Sequence, residues 1–237
     1  MNTTSISRPI QKSARTFRMK DPGSAITHFI GMIFAMAGAA PLLMKAVQNP
    51  EPVYWISMLV FICSMILLYA ASTSYHTFDL SDRVNRALKK TDHMMISILI
   101  AGTYTPVCLI ALKPSTGTLL CVGVWTMAFC GIVLKAFWVY CPRWISSVLY
   151  IAMGWLCVFA LGQLWSNLPR AAFFWLLAGG IFYTVGGVIY ALKLPIFNSR
   201  HKNFGSHEIF HLFVMAGSFC HYMMMYLYLV RMSLVVS

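Results

Sequence analysis

The residues with chemical potential in this 237-residue chain fall into a few spaced groups. His207 and His211 stand four apart in "HEIFH". On a helix, residues i and i+4 share a face about 6 Å apart, close enough for two imidazoles to chelate one ion. Ser72 and His76 have the same spacing in "STSYH", so a hydroxyl and an imidazole also face the same way. Asp92 and His93 are adjacent in "TDHMM", which on a helix separates them by about 100°; Asp92 is taken as the site residue and His93 as interfacial. A catalytic zinc takes three protein ligands and keeps a fourth position for water. His76, His207 and His211 would supply three neutral nitrogens. Asp92 could then hold or deprotonate a water whose pKa the metal lowers to about 7.

The His-Glu-x-x-His pattern has other readings. In a zinc protease the Glu would be the general base. In a plain helix start, Ser206 would be the N-cap and Glu208 a first-turn acid favoured by the helix dipole. Intramembrane zinc proteases with a resembling motif take a third ligand, usually an acid, from a later span. No Asp or Glu follows Glu208 here. The third ligand must come from upstream, where His76 is the best candidate, and Glu208 reads as the first-turn acid.

The elements that must position these groups are membrane spans. The chain is 59% hydrophobic and only 10% charged, against roughly 25% charged residues in a soluble domain. Seven apolar runs, about 24–44, 53–76, 92–112, 118–138, 145–165, 171–192 and 207–230, each have the roughly 20 residues that carry a helix across a bilayer. Breakers such as Pro50-Glu51-Pro52, Lys113-Pro114, Cys141-Pro142 and Leu168-Pro169 separate them. The fold class is therefore all-α: a seven-transmembrane-helix bundle over 23–232, after a basic tail at 1–22. The first apolar run is too long for a signal-peptide core, so no cleavable leader is expected.

Lys and Arg set the orientation. Arg8, Lys12, Arg15, Arg18, Lys20, Arg83, Arg86, Lys89, Lys90, Lys135, Arg143, Lys193, Arg200 and Lys202 fall on one side; Lys45, Lys113, Arg170 and Arg231 fall on the other. This places the N-terminus in the cytoplasm and the C-terminus outside, in a multi-pass protein of the inner (cytoplasmic) membrane. The net charge of +12 is then a topology signal and an attraction to anionic headgroups; it does not point to nucleic acid. In this topology the end of the second span and the starts of the first, third and seventh lie at one depth. Ser72, His76, Thr27, His28, Asp92, His207, Glu208 and His211 converge there, and ionisable groups at membrane depth are usually functional. The Ser72 hydroxyl also has a purely local option, a bond to the carbonyl four residues back, as serines often make in membrane helices.

Taken together, "ITHFIG" at 26–31, the Ser72–His76 pair, "TDHMMISILIAGTYTP" at 91–106 and "HEIFH" at 207–211, in that order on seven spans, resemble the bacterial hemolysin III family. That family is a branch of the progestin and adipoQ receptor family and is related to alkaline ceramidases. The resemblance covers about residues 20–230. It implies a cytoplasmic-side zinc held by His76, His207 and His211, with Asp92 and Ser72 beside it. The first span departs from the pattern, with Ser24-Ala25-Ile26 where relatives often carry Asn, so no role is assigned to His28. The leading functional expectation is a zinc-dependent hydrolase of a membrane lipid such as a lipid amide. The alternatives are a non-enzymatic, receptor-like regulator of membrane homeostasis with structural zinc, or a membrane-lysing or channel protein.

Four further features carry structural expectations. His221, deep in the last span, reads as a packed or hydrogen-bonding group, and His201 as solvated. Gly179, Gly180, Gly186 and Gly187 form a small-residue stripe for close helix packing. Pro106 should kink the third span. The seven cysteines lie mostly in apolar runs and read as small buried hydrophobes.

Overall fold

The computed structural model describes residues 19–192 and 205–235. Arg8, Lys12, Arg15 and Arg18 of the tail, and Lys193, Arg200, His201 and Lys202, lie outside the described residues. Among the described residues, seven helices are long and apolar enough to cross a membrane. The first four are α1 (Pro22–Ala46), α2 (Pro52–Thr77), α3 (Asp82–Pro106) and α4 (Pro114–Phe137). The fifth span is α5 (Arg143–Trp155) and α6 (Leu161–Asn167), joined by the 3-10 turn Leu156–Ala160. α7 (Arg170–Leu192) and α8 (Ser206–Leu227) complete the bundle. Among the described residues there is no strand.

Local chemistry sets several of the boundaries. Pro22, Pro52 and Pro114 each open a helix, where the ring fixes φ and the missing N–H has no intrahelical acceptor to lose. Large apolar side chains such as Phe34, Leu119 and Phe159 point outward. That surface suits lipid, where a helix satisfies its own backbone.

The third helix differs from its sequence pattern. Hydropathy marks a span from about 92, but the helix begins at Asp82. Its first turns, "DRVNRALKK", are charged yet rich in strong helix formers. Asp92 therefore sits in the third turn and not at a helix start. Thr91, a possible cap by sequence, instead donates to the carbonyl of Ala87 at 3.1 Å. At the other end, the α-helix gives way directly after Pro106 to a π turn, Val107–Ala111, because proline offers no N–H to the regular ladder.

α2 is the hub, packed on α1 and α3, while α7 packs on α8 and α8 on α1. The glycine stripe of α7 divides into two faces. Gly179 and Gly186 touch α8: a Cβ at Gly179 would lie 2.4 Å from the ring of His221, and one at Gly186 would lie 2.8 Å from Phe213. Gly180 and Gly187 face an internal cavity instead.

Candidate metal centre

At the end of the bundle where α2 finishes and α8 begins, His76, His207 and His211 each offer a ligand nitrogen, and these atoms lie within 4.8 Å of one another. His76 Nε2 and His207 Nε2 are 3.1 Å apart. Two imidazoles on one tetrahedral zinc, at metal–nitrogen distances near 2.05 Å, would place their nitrogens about 3.3 Å apart. The group could hold a metal ion.

The outer partners fix which nitrogen is free to ligate. His76 Nδ1 is 3.0 Å from Asp21 Oδ2. A carboxylate only accepts, so Nδ1 carries the hydrogen and Nε2 keeps its lone pair toward His207. His211 Nδ1 lies 3.2 Å from Thr27 Oγ1, whose hydroxyl proton is directed to the carbonyls of Gly23 and Ser24 at 3.0 Å. The hydroxyl oxygen therefore accepts from His211 Nδ1, and Nε2 is again left free. Carboxylate or hydroxyl partners behind a histidine are the usual means of orienting a metal ligand. These contacts supply the fit to a metal; the residues present match a divalent ion with nitrogen ligands.

Asp21 is a site residue that sequence reasoning misses. It precedes the Pro that opens α1 and lies within the segment assigned to the tail. Its side chain does not cap α1 but turns to His76. Its backbone N–H also donates to the carbonyl of His76 at 2.9 Å. The hydrogen bond from His76 holds the Asp21 carboxyl below the usual carboxylate range. The "DP" step at a span entrance is the available signal. His28, left without a role by sequence, also belongs here: its ring stacks on that of His211, with centroids 3.5 Å apart and planes 7° off parallel, which braces the ligand against α1.

Ser72 and Asp92 reach the same region. Both line a cavity of about 170 Å³, with His28, His207 and His211 at this end and Leu164 and Phe173 among its apolar walls. Asp92 is only 6% exposed. Its Oδ2 lies 3.5 Å from His93 Nδ1, which also donates to the Lys89 carbonyl at 2.9 Å. His93 is thus Asp92's neighbour, a contact its position around the helix does not suggest. The Ser72 hydroxyl does not take the local option of a bond to the carbonyl four residues back. It has no hydrogen-bond partner, and neither ring nitrogen of His28 has one.

Glu208 belongs to the scaffold. Its Oε1 accepts from Ser24 Oγ at 2.6 Å, and its Oε2 accepts from Gly205 N at 2.7 Å. The N-cap of α8 is Gly205, one residue before the Ser206 expected from sequence, and Glu208 at N3 accepts from its backbone N–H, the one half of a capping box that a glycine N-cap allows. Both carboxylate oxygens are engaged in holding α8 to α1 and to its own first turn.

The family described as "Haemolysin-III related" matches residues 17–222. The chain is 37% identical over 202 residues to the Bacillus cereus protein named "Hemolysin-3", covering 85% of this chain and 88% of that one. It is 37% identical over 195 residues to the "Hemolysin-3 homolog" of Bacillus subtilis (strain 168), covering 82% and 87%. To the "Adiponectin receptor protein" of Drosophila melanogaster it is 25% identical over 219 residues, covering 85% of this chain and 49% of that protein. A match along most of the chain, on a seven-helix membrane bundle, means that the protein belongs to the haemolysin III family.

Proposed function

We propose that the three histidines bind zinc and that the protein is a metal-dependent hydrolase of a membrane lipid, with a lipid amide as the substrate class. The site opens on the cytoplasmic leaflet of the inner membrane. The observation that carries this reading is the joint position of His207, His211, Asp92 and Ser72 on the wall of one apolar cavity, with His76 beside the two histidines. Reactive polar groups at the end of an apolar volume suit a headgroup-proximal bond with its acyl chain buried below. Zinc at His76, His207 and His211 would supply Lewis acidity toward a carbonyl and toward water. Asp92 accepts a proton at a carboxylate oxygen and passes it to the departing amine. The Ser72 hydroxyl, having no other partner, donates to the carbonyl oxygen as it gains charge. The apolar walls exclude water from the chain and align it.

The test is release of fatty acid from a panel of lipid amides by tag-free protein, before and after chelation and with zinc restored. Turnover that falls with chelation and returns with zinc is the expected result. Its absence across the panel in zinc-loaded protein would overturn the hydrolase. Similarity to a protein named as a receptor favours a second reading, a non-enzymatic regulator in which zinc joins α2 to α8. Such a protein keeps zinc and shows no turnover. The name carried by the Bacillus relatives is tested separately, by dye release from liposomes and erythrocytes. Topology is tested by reporter fusions after Ser237 and within 79–90, expected on opposite sides with 79–90 inside.

A further inference from the structure

The charge pattern of the sequence counts Lys135 among the cations of the membrane face. In the structure it is 1% exposed. Its Nζ donates to Ser146 Oγ at 2.5 Å and to Cys141 Sγ at 3.1 Å, and those two acceptors are 3.3 Å from each other. Among the described residues, no carboxylate forms an ion pair with it. A buried charge is ordinarily paired, because neutral acceptors do not replace its hydration. An ionisable group at membrane depth calls for a named partner, and among the described residues a hydroxyl and a thiol are the hydrogen-bond acceptors of this one.

The cluster adjoins the cavity. Ser146 and Ser147, in the first turn of α5, form part of its wall. Tyr150, one turn further along, donates to the carbonyl of His93 at 2.9 Å. Ser146 thus stands one helical turn before the residue of α5 that bonds the backbone of His93. Arg143, the first residue of α5, places its guanidinium 5.2 Å over the ring of Tyr190, which lines the same cavity. The start of α5 adds the positive end of a helix dipole. Cationic groups therefore stand behind the part of the cavity wall that Ser146 and Tyr190 form, a wall that Asp92 also lines.

We propose that Lys135, Ser146 and Arg143 form an anion subsite for a phosphate, borne by a lipid whose acyl chain fills the cavity. This rests on the reading that the cavity takes a lipid, and narrows it: the preferred ligand is a phosphorylated amphiphile and not a neutral one. Asp92 repels the phosphate and Lys135 attracts it. The anion is thereby drawn toward Ser146 and away from Asp92, and the neutral amide segment falls beside Asp92 and the histidines.

The experiment measures binding of fluorescent ceramide 1-phosphate and of ceramide with the same acyl chain, to intact protein in neutral maltoside detergent, with inorganic phosphate alone as a third arm. Wild-type protein should bind the phosphorylated lipid about tenfold or more tightly, the scale of one charge-assisted hydrogen bond. Lys135→Met should erase that preference and leave the affinity for ceramide unchanged. Ser146→Asp supplies an internal anion to Lys135, so it should erase the preference without loosening the join between α4 and α5, even if Lys135→Met fails to fold. Equal affinity for the two lipids in the wild type, or a preference that survives Ser146→Asp, overturns the subsite and leaves the lipid reading standing. Binding of neither lipid overturns both. Displacement of the phosphorylated lipid by inorganic phosphate that itself binds as tightly would assign the subsite to the free ion and overturn the lipid assignment. Because binding is read without turnover, failure of hydrolysis leaves this result intact.

Discussion

Both ends of the bundle are rich in polar side chains, and they use them in opposite ways. At the end where α1 finishes and α8 runs out, the polar groups bind backbone. Tyr54 donates its hydroxyl to the carbonyl of Met232. Asn49 donates to Val230 O at 2.9 Å, Asn167 to Ala111 O at 2.9 Å and Lys45 to Tyr226 O at 3.3 Å. Helix ends leave unpaired carbonyls, and these side chains satisfy them. At the other end, His76 and His207 turn nitrogens toward each other, and the Ser72 hydroxyl and both ring nitrogens of His28 have no hydrogen-bond partner. Buried polar groups are nearly always hydrogen-bonded. A cluster that breaks this habit is arranged for something outside the chain, whereas one that obeys it closes the fold.

The largest effects should come from removing the unsatisfied end's ligands. His207→Ala with His211→Ala should reduce zinc from about one per chain to none by metal analysis, since one imidazole cannot supply the three-ligand set of a catalytic site. The double variant should also melt earlier, because an ion bound by His76, His207 and His211 would tie α2 to α8, and binding stabilises the folded state by mass action. Undiminished zinc would break the comparison outright. Next is a contrast between two carboxylates. Asp92→Asn should lower hydrolysis by about 10²–10⁴, the scale of a lost general base, with zinc retained. Glu208→Gln should change it by less than about tenfold, because Oε1 and Oε2 are already held by Ser24 and Gly205. The reverse order, measured by fatty-acid release, would move the base to Glu208.

The two ends were not equally legible in the sequence. The spans are plain, because apolar runs of about 20 residues have few other uses. The three histidines are plain too, because their spacing and their place at span ends are both local facts. The start of α3 is hidden, since hydropathy is blind to a helix whose first turns are charged. The roles of Asp21 and Thr27 are hidden as well, because a partner behind a ligand is known only once α1 is set against α2 and α8. The burial of Lys135 is hidden for a similar reason: a charge count assigns a lysine to a side of the membrane but is blind to packing, and only the fold reveals that α5 covers this one. Glu208 reads correctly as a first-turn acid, though its bond to Ser24, 184 residues away, carries no sequence signal.

A smaller effect should follow from the support behind His76. Asp21→Asn keeps the size of the side chain but weakens the acceptor for His76 Nδ1. Zinc affinity, measured by competition with a chelating dye, should fall by about 10–100-fold, the usual cost of losing a ligand's outer partner. An unchanged affinity would mean that the stack on His28 and the packing of α2 orient His76's neighbourhood sufficiently without the carboxylate.

The smallest effect gives the sharpest test of the comparison, because it sets two hydroxyl deletions against each other. Tyr54→Phe, at the satisfied end, leaves the carbonyl of Met232 without its donor. It should cost about 1 kcal/mol, roughly 2–4 °C in melting midpoint for a chain of this size, with zinc content and hydrolysis unaltered. Ser72→Ala, at the unsatisfied end, removes a hydroxyl that bonds nothing in the folded chain. Burying that hydroxyl brought no hydrogen bond in return, so its loss should leave the midpoint unchanged or slightly raised. Hydrolysis should nevertheless fall by about tenfold or more, since a donor to the developing oxyanion is lost. Thermal melts in detergent read the first difference and fatty-acid release the second. A Ser72→Ala variant that melts several degrees early at full activity would make Ser72 a structural group like Tyr54, and would erase the distinction between the two ends at that residue.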